Sequence, residues 1–315
     1  MSKFVILLSG FRSPQISGLC DLFPEVEFRP FEEDGLPEGH ADALVSLTQD
    51  ALDAVFRPEV LDRCPGLRWV HASSAGIDDY LPYLSDVSFT LTCGKILQGP
   101  AVADHAMTLL LALTRRLPWI LRGKRPAEMP RPTELRGKKA LVIGYGGIGM
   151  GIAERAAAFG MRVNCVTEIN MPLVSFVDHV YFAHEFLEAV PEADVVLVAA
   201  PLTKISRAML DREALSRMKQ TAYLINVSRG PIIDTDALVE ELRRGRFEGV
   251  GLDVTDPEPL PDHHPLRQFD RVLITPHYAG TTTTLQRRFE LIETNLRRFI
   301  DGRPLINVVD KKLGF

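Results

Sequence analysis

Three features that would place this sequence in a special class of protein are missing. Its 315 residues hold 36 Lys and Arg against 41 Asp and Glu, and the two signs are interspersed, so no basic stripe is present for nucleic acid. The apolar stretches at 4–8 and 107–113 are too short for a signal peptide or for a helix that spans a bilayer. We expect a cytoplasmic protein that binds neither nucleic acid nor a membrane.

Cysteine is scarce as well. The chain has four cysteines, which lie far apart and form no pair at the spacing of metal ligands: Cys20, Cys64, Cys93 and Cys165. A reduced protein without a metal site is the economical interpretation. The length suffices for two domains of ordinary size, each with its own core.

Closely spaced glycines follow an apolar run near the middle of the chain. Residues 140–143 read A-L-V-I, residues 144–149 read G-Y-G-G-I-G, and residues 152–159 have apolar positions at helical spacing. A strand, G-x-G-x-x-G and a helix in that order are typical of a site for a dinucleotide pyrophosphate. On these residues alone, an ordinary turn in an α/β sheet remains the alternative.

The choice of dinucleotide depends on the end of the next predicted strand, 162–166. Thr167 and Glu168 lie about 20 residues beyond the glycines, where an acidic residue meets the adenosine ribose. Glu168 would accept from both ribose hydroxyls and would repel a 2′-phosphate. The sequence therefore favours NAD(H), with NADP(H) as the open alternative.

Short apolar runs alternate with helical segments along the whole chain, which predicts α/β architecture with two doubly wound parallel sheets. Strands are predicted at 4–8, 43–47, 67–72, 87–91, 140–143, 162–166, 195–199, 223–227, 249–253 and 272–275. Helices are predicted at 15–23, 51–64, 101–117, 152–159, 212–218, 235–243 and 282–299, with an irregular linker at 118–132.

Ionisable residues stand just past the ends of three successive predicted strands. These residues are Arg229 in N-V-S-R-G, Glu258 in D-P-E-P and His277 in T-P-H. Ligands of open α/β sheets bind at that edge, and hydride transfer to a carbonyl needs a proton donor beside it. A carboxylate holds an imidazole and favours its charged form, while an arginine fork matches a substrate carboxylate. Each residue alone is better explained as structural, but jointly they favour catalysis.

Several motifs together resemble the D-isomer-specific 2-hydroxyacid dehydrogenase family, and most closely its glyoxylate/hydroxypyruvate reductases. They are G-Y-G-G-I-G at 144–149, A-P-L-T at 200–203, L-I-N-V-S-R-G-P-I-I-D at 224–234, G-L-D-V-T-D-P-E-P-L at 251–260 and T-P-H-Y-A-G at 275–280. The resemblance implies a Rossmann-type NAD(P)-binding domain, 98–283, inserted into a flavodoxin-like substrate domain, 1–97 plus 284–315. It also implies a homodimer.

The resemblance further implies roles for individual residues. Arg229 would bind the substrate's carboxylate and carbonyl, His277 would be the general acid/base, and Glu258 would be its partner. Backbone N–H groups of Ala75 and Gly76 would bind the substrate carboxylate, and Asp253 would contact the nicotinamide carboxamide. The cofactor-binding residues would be Gly144, Tyr145, Gly146, Gly147, Ile148, Gly149, Thr167, Glu168, Pro201 and Asp253. Asp104 and Thr167 depart from the family's usual Glu and Asp.

We therefore expect an NAD(P)-dependent oxidoreductase that reduces a small 2-oxoacid to a D-2-hydroxyacid. A reductase of bulkier 2-oxoacids such as phenylpyruvate is one alternative. A second alternative is a protein that senses NAD(H), as the similar C-terminal-binding corepressors do, because those proteins retain the same three residues.

Overall fold

The structure is a computed structural model that describes residues 4–9, 14–31, 39–47, 64, 66–74, 76–84, 87–95, 97–282 and 286–312. Its strands are β1 Phe4–Leu8, β2 Val26–Pro30, β3 Ala43–Ser46, β4 Trp69–Ala72, β5 Thr90–Cys93, β6 Lys139–Ile143, β7 Arg162–Thr167, β8 His179–Phe182, β9 Val195–Val198, β10 Tyr223–Asn226, β11 Gly249–Leu252 and β12 Val272–Ile274. Its α-helices are α1 Pro14–Asp21, α2 Gly99–Thr114, α3 Leu117–Leu121, α4 Gly147–Ala158, α5 Phe186–Ala189, α6 Arg212–Arg217, α7 Thr235–Arg243 and α8 Gln286–Ile300.

The chain divides into two compact units, residues 1–97 with 282–315 and residues 98–281. The division expected from the sequence has the same first boundary and a second one that lies two residues further along. The predicted helix at 51–64 lies outside the described residues, apart from Cys64.

The first unit contains a five-stranded parallel sheet in the order β2-β1-β3-β4-β5, which is the flavodoxin-like order. The C-terminal segment completes this unit. The amide of Asn295, buried on α8, bonds both backbone groups of Ile306, at 3.0 and 2.9 Å. Beyond it, Val309 N donates to Leu91 O at 2.9 Å. The tail is therefore fastened to the end of β5.

The second unit contains a seven-stranded parallel sheet in the order β12-β11-β10-β9-β6-β7-β8. The strand order reverses between β6 and β9, and an open α/β sheet binds ligands outside the strand ends at such a point. Buried clusters lie on both faces of the sheet. The predicted fold class, two doubly wound parallel sheets with a Rossmann-type sheet among them, is confirmed.

Helix α2 belongs to the core of the second unit. Leu109 and Leu113 are buried. A methyl group added at Gly251 would lie 3.1 Å from the Cβ of Leu109, and one added at Gly249 would lie 3.1 Å from the Cβ of Leu113. Strand β11 therefore needs glycine for the helix to approach this closely. The predicted helix at 101–117 begins two residues earlier and ends at Thr114, because Arg116 takes a left-handed φ of 61° before α3.

Two strands are missing from the sequence prediction, and both lie at the edges of their sheets. In β2 and β8 only Val26 is buried, so neither has the continuous apolar run of a central strand. Strand β5 also begins three residues later than predicted. Among the described residues, no helix is long and apolar enough to cross a membrane.

A pH dependence of stability follows from a buried histidine in β4. Burial lowers the pKa of His71 from 6.5 to about 4. Its Nδ1 lies 2.9 Å from the hydroxyl of Thr92, which accepts a hydrogen bond from Trp69 Nε1 and lies 3.5 Å from Val70 O. His71 is neutral in the folded unit because a charged imidazole would lose its hydration at this buried position.

We predict that the first unit loses about 2 kcal/mol of stability between pH 7.5 and pH 5 through His71. Because the folded-state pKa lies below the ordinary one, this stability is present above pH 6.5 and lost as the pH falls towards 4. The measurement is urea unfolding followed by the fluorescence of Trp69 in a Trp119→Phe background. The His71→Asn variant should lose about 2 kcal/mol less than its parent over the same range, and equal losses would refute the assignment.

Candidate active site

The glycine turn after β6 is shaped by close contacts between backbones. Gly144 has a φ of +99°, and a Cβ there would lie 2.6 Å from Ala200 N. A Cβ at Gly149 would lie 1.8 Å from Gly144 O, so helix α4 rests directly on the turn. Neither position accepts a side chain, which is the structural reason for the first and third glycines of the motif.

The second glycine has a different reason. Gly146 has an ordinary φ of −87°, and a Cβ there would meet no atom within 4 Å. It is the N-cap of α4, and no side chain caps that helix. The first N–H groups of the helix, at Gly147 and Ile148, are thus available to an anion, and the space beside Gly146 suits the close approach of a pyrophosphate. The chain's own geometry fits a dinucleotide here.

The two residues expected at the ribose, Thr167 and Glu168, lie at the end of β7 and make different contacts. The hydroxyl of Thr167 closes a local turn, donating to Ile169 O at 3.1 Å and accepting from Ile169 N at 3.3 Å. Glu168 is exposed, and its Oε1 accepts from Thr203 Oγ1 at 3.2 Å. Thr203 lies in the loop after β9, across the switch point. Of the two residues, Glu168 has the carboxylate available for a ribose.

Two further residues expected at the cofactor serve the fold through their polar groups. Tyr145 is buried, and its hydroxyl donates to Pro172 O at 3.1 Å. The carbonyl of Pro201 accepts from Ser206 Oγ at 2.6 Å. Their contact with a cofactor stays a prediction.

An imidazole and a carboxylate meet at the same edge of the sheet, beyond β11 and β12. His277 Nδ1 lies 2.6 Å from Glu258 Oε1, and both side chains are partly open to solvent. A cavity of about 450 Å³ lies beside the pair. With Nδ1 turned to the carboxylate, Nε2 is the nitrogen left for an acid or base role.

The loops after β10 and β11 are locked together, and this places Arg229 next to the loop of Glu258. A Cβ at Gly230 would lie 2.0 Å from Thr255 O, and Thr255 N donates to Glu258 Oε2 at 3.3 Å. Within the first loop, Asn226 Nδ2 donates to Arg229 O at 2.9 Å. Arg229 itself is half-buried.

Asp253 holds the turn that presents His277. Three consecutive backbone N–H groups donate to this one residue: His277 to the carbonyl at 2.8 Å, Tyr278 to Oδ1 at 2.9 Å and Ala279 to Oδ2 at 2.9 Å. His277 has a φ of +51°, a region that L-residues rarely occupy, and these bonds stabilise it there. The expected contact of Asp253 with a nicotinamide stays a prediction, because its side chain has no exposed surface.

The small-residue motif of the first unit lies at the carboxyl end of β4. Gly76 is half-buried, and its carbonyl accepts from Ser74 Oγ at 2.9 Å. Gly94 fits against this turn only as glycine, since a Cβ there would lie 2.4 Å from Ser73 O. Ala75 lies outside the described residues, and the role of Ala75 and Gly76 as donors to a carboxylate stays a prediction.

A Rossmann-type sheet, a glycine turn shaped for a pyrophosphate and an imidazole–carboxylate pair at the same edge define a nicotinamide-dependent oxidoreductase. The model of the D-isomer specific 2-hydroxyacid dehydrogenase NAD binding domain matches residues 107–279. A glyoxylate reductase from Thermofilum pendens is 34% identical over 289 residues, which are 86% of this chain and 82% of that protein. The chain belongs to the D-isomer specific 2-hydroxyacid dehydrogenase family.

Solved structures agree with this assignment. A D-isomer specific 2-hydroxyacid dehydrogenase from Xanthobacter autotrophicus, in complex with NADPH and MES, has a TM-score of 0.85 at 25% identity and covers 100% of both chains. D-Lactate dehydrogenase from Aquifex aeolicus, complexed with NAD and lactic acid, has a TM-score of 0.74 at 26% identity, over 94% of this chain and 96% of that one. The expected NAD(P)-dependent enzyme is confirmed, and the cofactors in these two structures support either nicotinamide dinucleotide.

Sequence reasoning missed the residues that hold the candidate site residues in place. Three of them lie inside the quoted motifs and could have been found there: Gly230 next to Arg229, Thr203 near Pro201 and Thr275 near His277. His105 on α2 gave none, because it lies far along the chain from the strand ends and its contacts appear only in the folded unit.

The two kinds of glycine predict two different defects. Gly149→Ala should lower the thermal midpoint of the cofactor-free enzyme by several degrees, because its methyl would collide with Gly144 O. Gly146→Ala should leave that midpoint nearly unchanged and weaken NADH binding about tenfold or more, because its methyl occupies the space of the pyrophosphate. Calorimetry measures the thermal midpoint, and a fluorescence titration measures the affinity for NADH. Tight NADH binding by Gly146→Ala would contradict the site.

Proposed function

We propose that this enzyme reduces a small 2-oxoacid of the glyoxylate or hydroxypyruvate kind to the D-2-hydroxyacid, with His277 as the proton donor. The observation that carries the proposal is the 2.6 Å contact between His277 Nδ1 and Glu258 Oε1 at the ligand-binding edge of the sheet. A histidine held by a carboxylate in this way has one defined nitrogen for the substrate.

The bound nicotinamide supplies the hydride to C2 of the 2-oxoacid. His277 gives its Nε2 proton to the oxygen on which negative charge develops. Glu258 accepts from Nδ1 and keeps the ring in place. In the oxidation direction, neutral His277 takes the hydroxyl proton, so one residue serves both directions.

Arg229 is proposed to bind the carboxylate and carbonyl of the substrate. Its guanidinium has the planar fork that pairs with a carboxylate through two hydrogen bonds, and such a group also stabilises a developing alkoxide. Support comes from its half-buried position at the end of β10, in a loop that Gly230 locks against Thr255.

Support for a small substrate comes from the curated relatives, of which the Thermofilum pendens protein and one from Thermococcus onnurineus, 32% identical, are described as glyoxylate reductases. The test is NADH and NADPH consumption with glyoxylate, hydroxypyruvate, pyruvate and phenylpyruvate. A clear preference for phenylpyruvate would favour the bulkier-substrate alternative, and no consumption with any of them would favour an NAD(H) sensor.

The role of His277 predicts opposite pH dependences for the two directions. Reduction needs the imidazolium, so kcat/KM should fall as the pH rises, whereas oxidation needs the neutral ring and should become faster. His277→Gln should lower kcat by about 10²- to 10⁴-fold and leave NADH binding within about twofold. His263→Gln, at an exposed histidine in a loop, is the matched control and should behave as the parent. Full turnover by His277→Gln would overturn the assignment.

We also propose that NADH is the preferred cofactor and that Glu168 makes the choice. The exposed carboxylate stands at the end of β7 and accepts from Thr203, the geometry in which it would also accept from a ribose hydroxyl. A 2′-phosphate at the same place would meet a like charge.

Removing the negative charge of Glu168 should weaken the preference for NADH over NADPH. In Glu168→Gln the ratio of kcat/KM for NADH over NADPH should fall about tenfold, as expected when a hydrogen bond to a charged group is lost. Glu154→Gln, at an exposed position on α4, makes the same change in net charge and should leave the ratio as it is. An unchanged ratio in Glu168→Gln would assign the choice to other residues.

A cytoplasmic homodimer is the assembly we propose. Support comes from the apolar surface of α3, where Leu117, Ile120 and Leu121 are 45%, 50% and 84% exposed. An apolar surface of this kind on a short helix suits contact with another chain.

A further inference from the structure

A polar cluster lies beneath the turn that presents His277. His105, on helix α2, is mostly buried, and its Nε2 lies 3.0 Å from Thr275 Oγ1 and 3.3 Å from Asp253 Oδ1. Thr275 Oγ1 donates to the same Asp253 Oδ1 at 2.5 Å. The cluster therefore joins α2 to the residue on which the turn depends.

The directions of these hydrogen bonds determine the state of the histidine. Asp253 is a carboxylate and only accepts, and the single proton of Thr275 is given to it. Thr275 Oγ1 is then an acceptor towards His105, so the proton must lie on His105 Nε2. His105 Nε2 therefore donates to Thr275 Oγ1, and it lies 3.3 Å from Asp253 Oδ1.

Asp253 needs these donors because its carboxylate is fully buried. A buried carboxylate is stable only when several donors surround it. Tyr278 N and Ala279 N supply two of them and Thr275 Oγ1 supplies the third, while His105 Nε2 donates to Thr275 Oγ1 and lies 3.3 Å from Asp253 Oδ1. Three donors at the His277 turn thus hold the carboxylate, and helix α2 supports one of them, Thr275, through His105.

Helix α2 supports this turn at a second point. A methyl group at Gly280, just beyond the turn, would lie 3.0 Å from Gln98 Oε1 at the N-cap of α2. Gln98 and His105 are seven residues apart, which is two helical turns, so they lie on one face of α2. One face of α2 therefore lies next to Thr275, before the turn, and next to Gly280, just beyond it.

We infer that His105 is a positioning residue for His277. Acting through Thr275 and Asp253, it holds His277 in its left-handed conformation and so directs Nε2 at the substrate. This inference rests on the proposed role of His277 as the proton donor. His105 itself touches no reacting atom, so its effect should appear in turnover and not in cofactor binding.

The test compares three substitutions on α2. His105→Leu removes the donor and keeps much of the side-chain volume, whereas His105→Gln places an amide N–H near the position of Nε2. Asp104→Asn, one residue away, breaks the exposed ion pair with Arg155 and leaves the cluster intact. The measurements are kcat and KM for hydroxypyruvate, the Kd of NADH and the thermal midpoint of each variant.

We expect His105→Leu to lower kcat about 10- to 100-fold, the size of effect that a small misplacement of a catalytic group produces. The Kd of NADH should stay within about twofold, and His105→Gln should recover most of kcat. Asp104→Asn should keep the parent kcat. Thr275→Val should resemble His105→Leu, and the double variant should be little worse than either, because both act through Asp253.

Two results would overturn the inference. One is a kcat of His105→Leu within about twofold of the parent. The other is a loss of kcat that His105→Gln does not recover although its thermal midpoint is restored, which would show that an N–H donor at this position of α2 does not position His277. Failure of the proposed function is recognised separately, because the parent enzyme would then not reduce 2-oxoacids or His277→Gln would retain turnover.

Discussion

The candidate active site depends on the hydrogen bonds that the buried carboxylate of Asp253 accepts. The carboxylate accepts hydrogen bonds from the backbone N–H groups of the two residues after His277, and the backbone carbonyl of Asp253 accepts one from the N–H of His277. Because His277 sits at a positive φ, the turn would relax to another conformation without these bonds. Asp253 stands directly after β11, so the sheet that carries the glycine turn also fixes His277, the proposed proton donor.

At two other places in the site, glycine allows backbone segments to lie in close contact. Gly149 rests on Gly144 at the pyrophosphate turn, and Gly230 rests on Thr255 between the loops that carry Arg229 and Glu258. In each case a methyl group would overlap a carbonyl oxygen. The loops that carry the proposed catalytic groups are thus held by contacts that leave no space for a side chain, whereas Gly146 leaves space on the side where a phosphate is expected.

The sequence predicted most of the fold and the main residues of the site for the same physical reason. Central strands of parallel sheets are buried on both faces, so β6, β9, β10 and β11 appear as short apolar runs whose ends can be located. Arg229 and Glu258 follow the ends of β10 and β11, His277 follows the edge strand β12, and parallel strands bring their ends to one edge. The contact between His277 and Glu258 was therefore predictable, although its distance was not.

Other features could not be predicted because they depend on tertiary contacts. The edge strands β2 and β8 have polar and exposed positions, which removes the apolar signal. His105 is far from Thr275 and Asp253 along the chain, and only the packing of α2 on the sheet brings them together. The burial of Asp253 was also hidden, since an aspartate at a strand end is equally well interpreted as a ligand contact.

Proton donation by His277 as the hydride reaches a 2-oxoacid is tested most directly by a single turnover. Enzyme with bound NADH is mixed rapidly with hydroxypyruvate in H₂O and in D₂O, and the loss of NADH is followed. Proton donation from His277 in the same transition state predicts a slower transient in D₂O. Equal rates in the two solvents would contradict it.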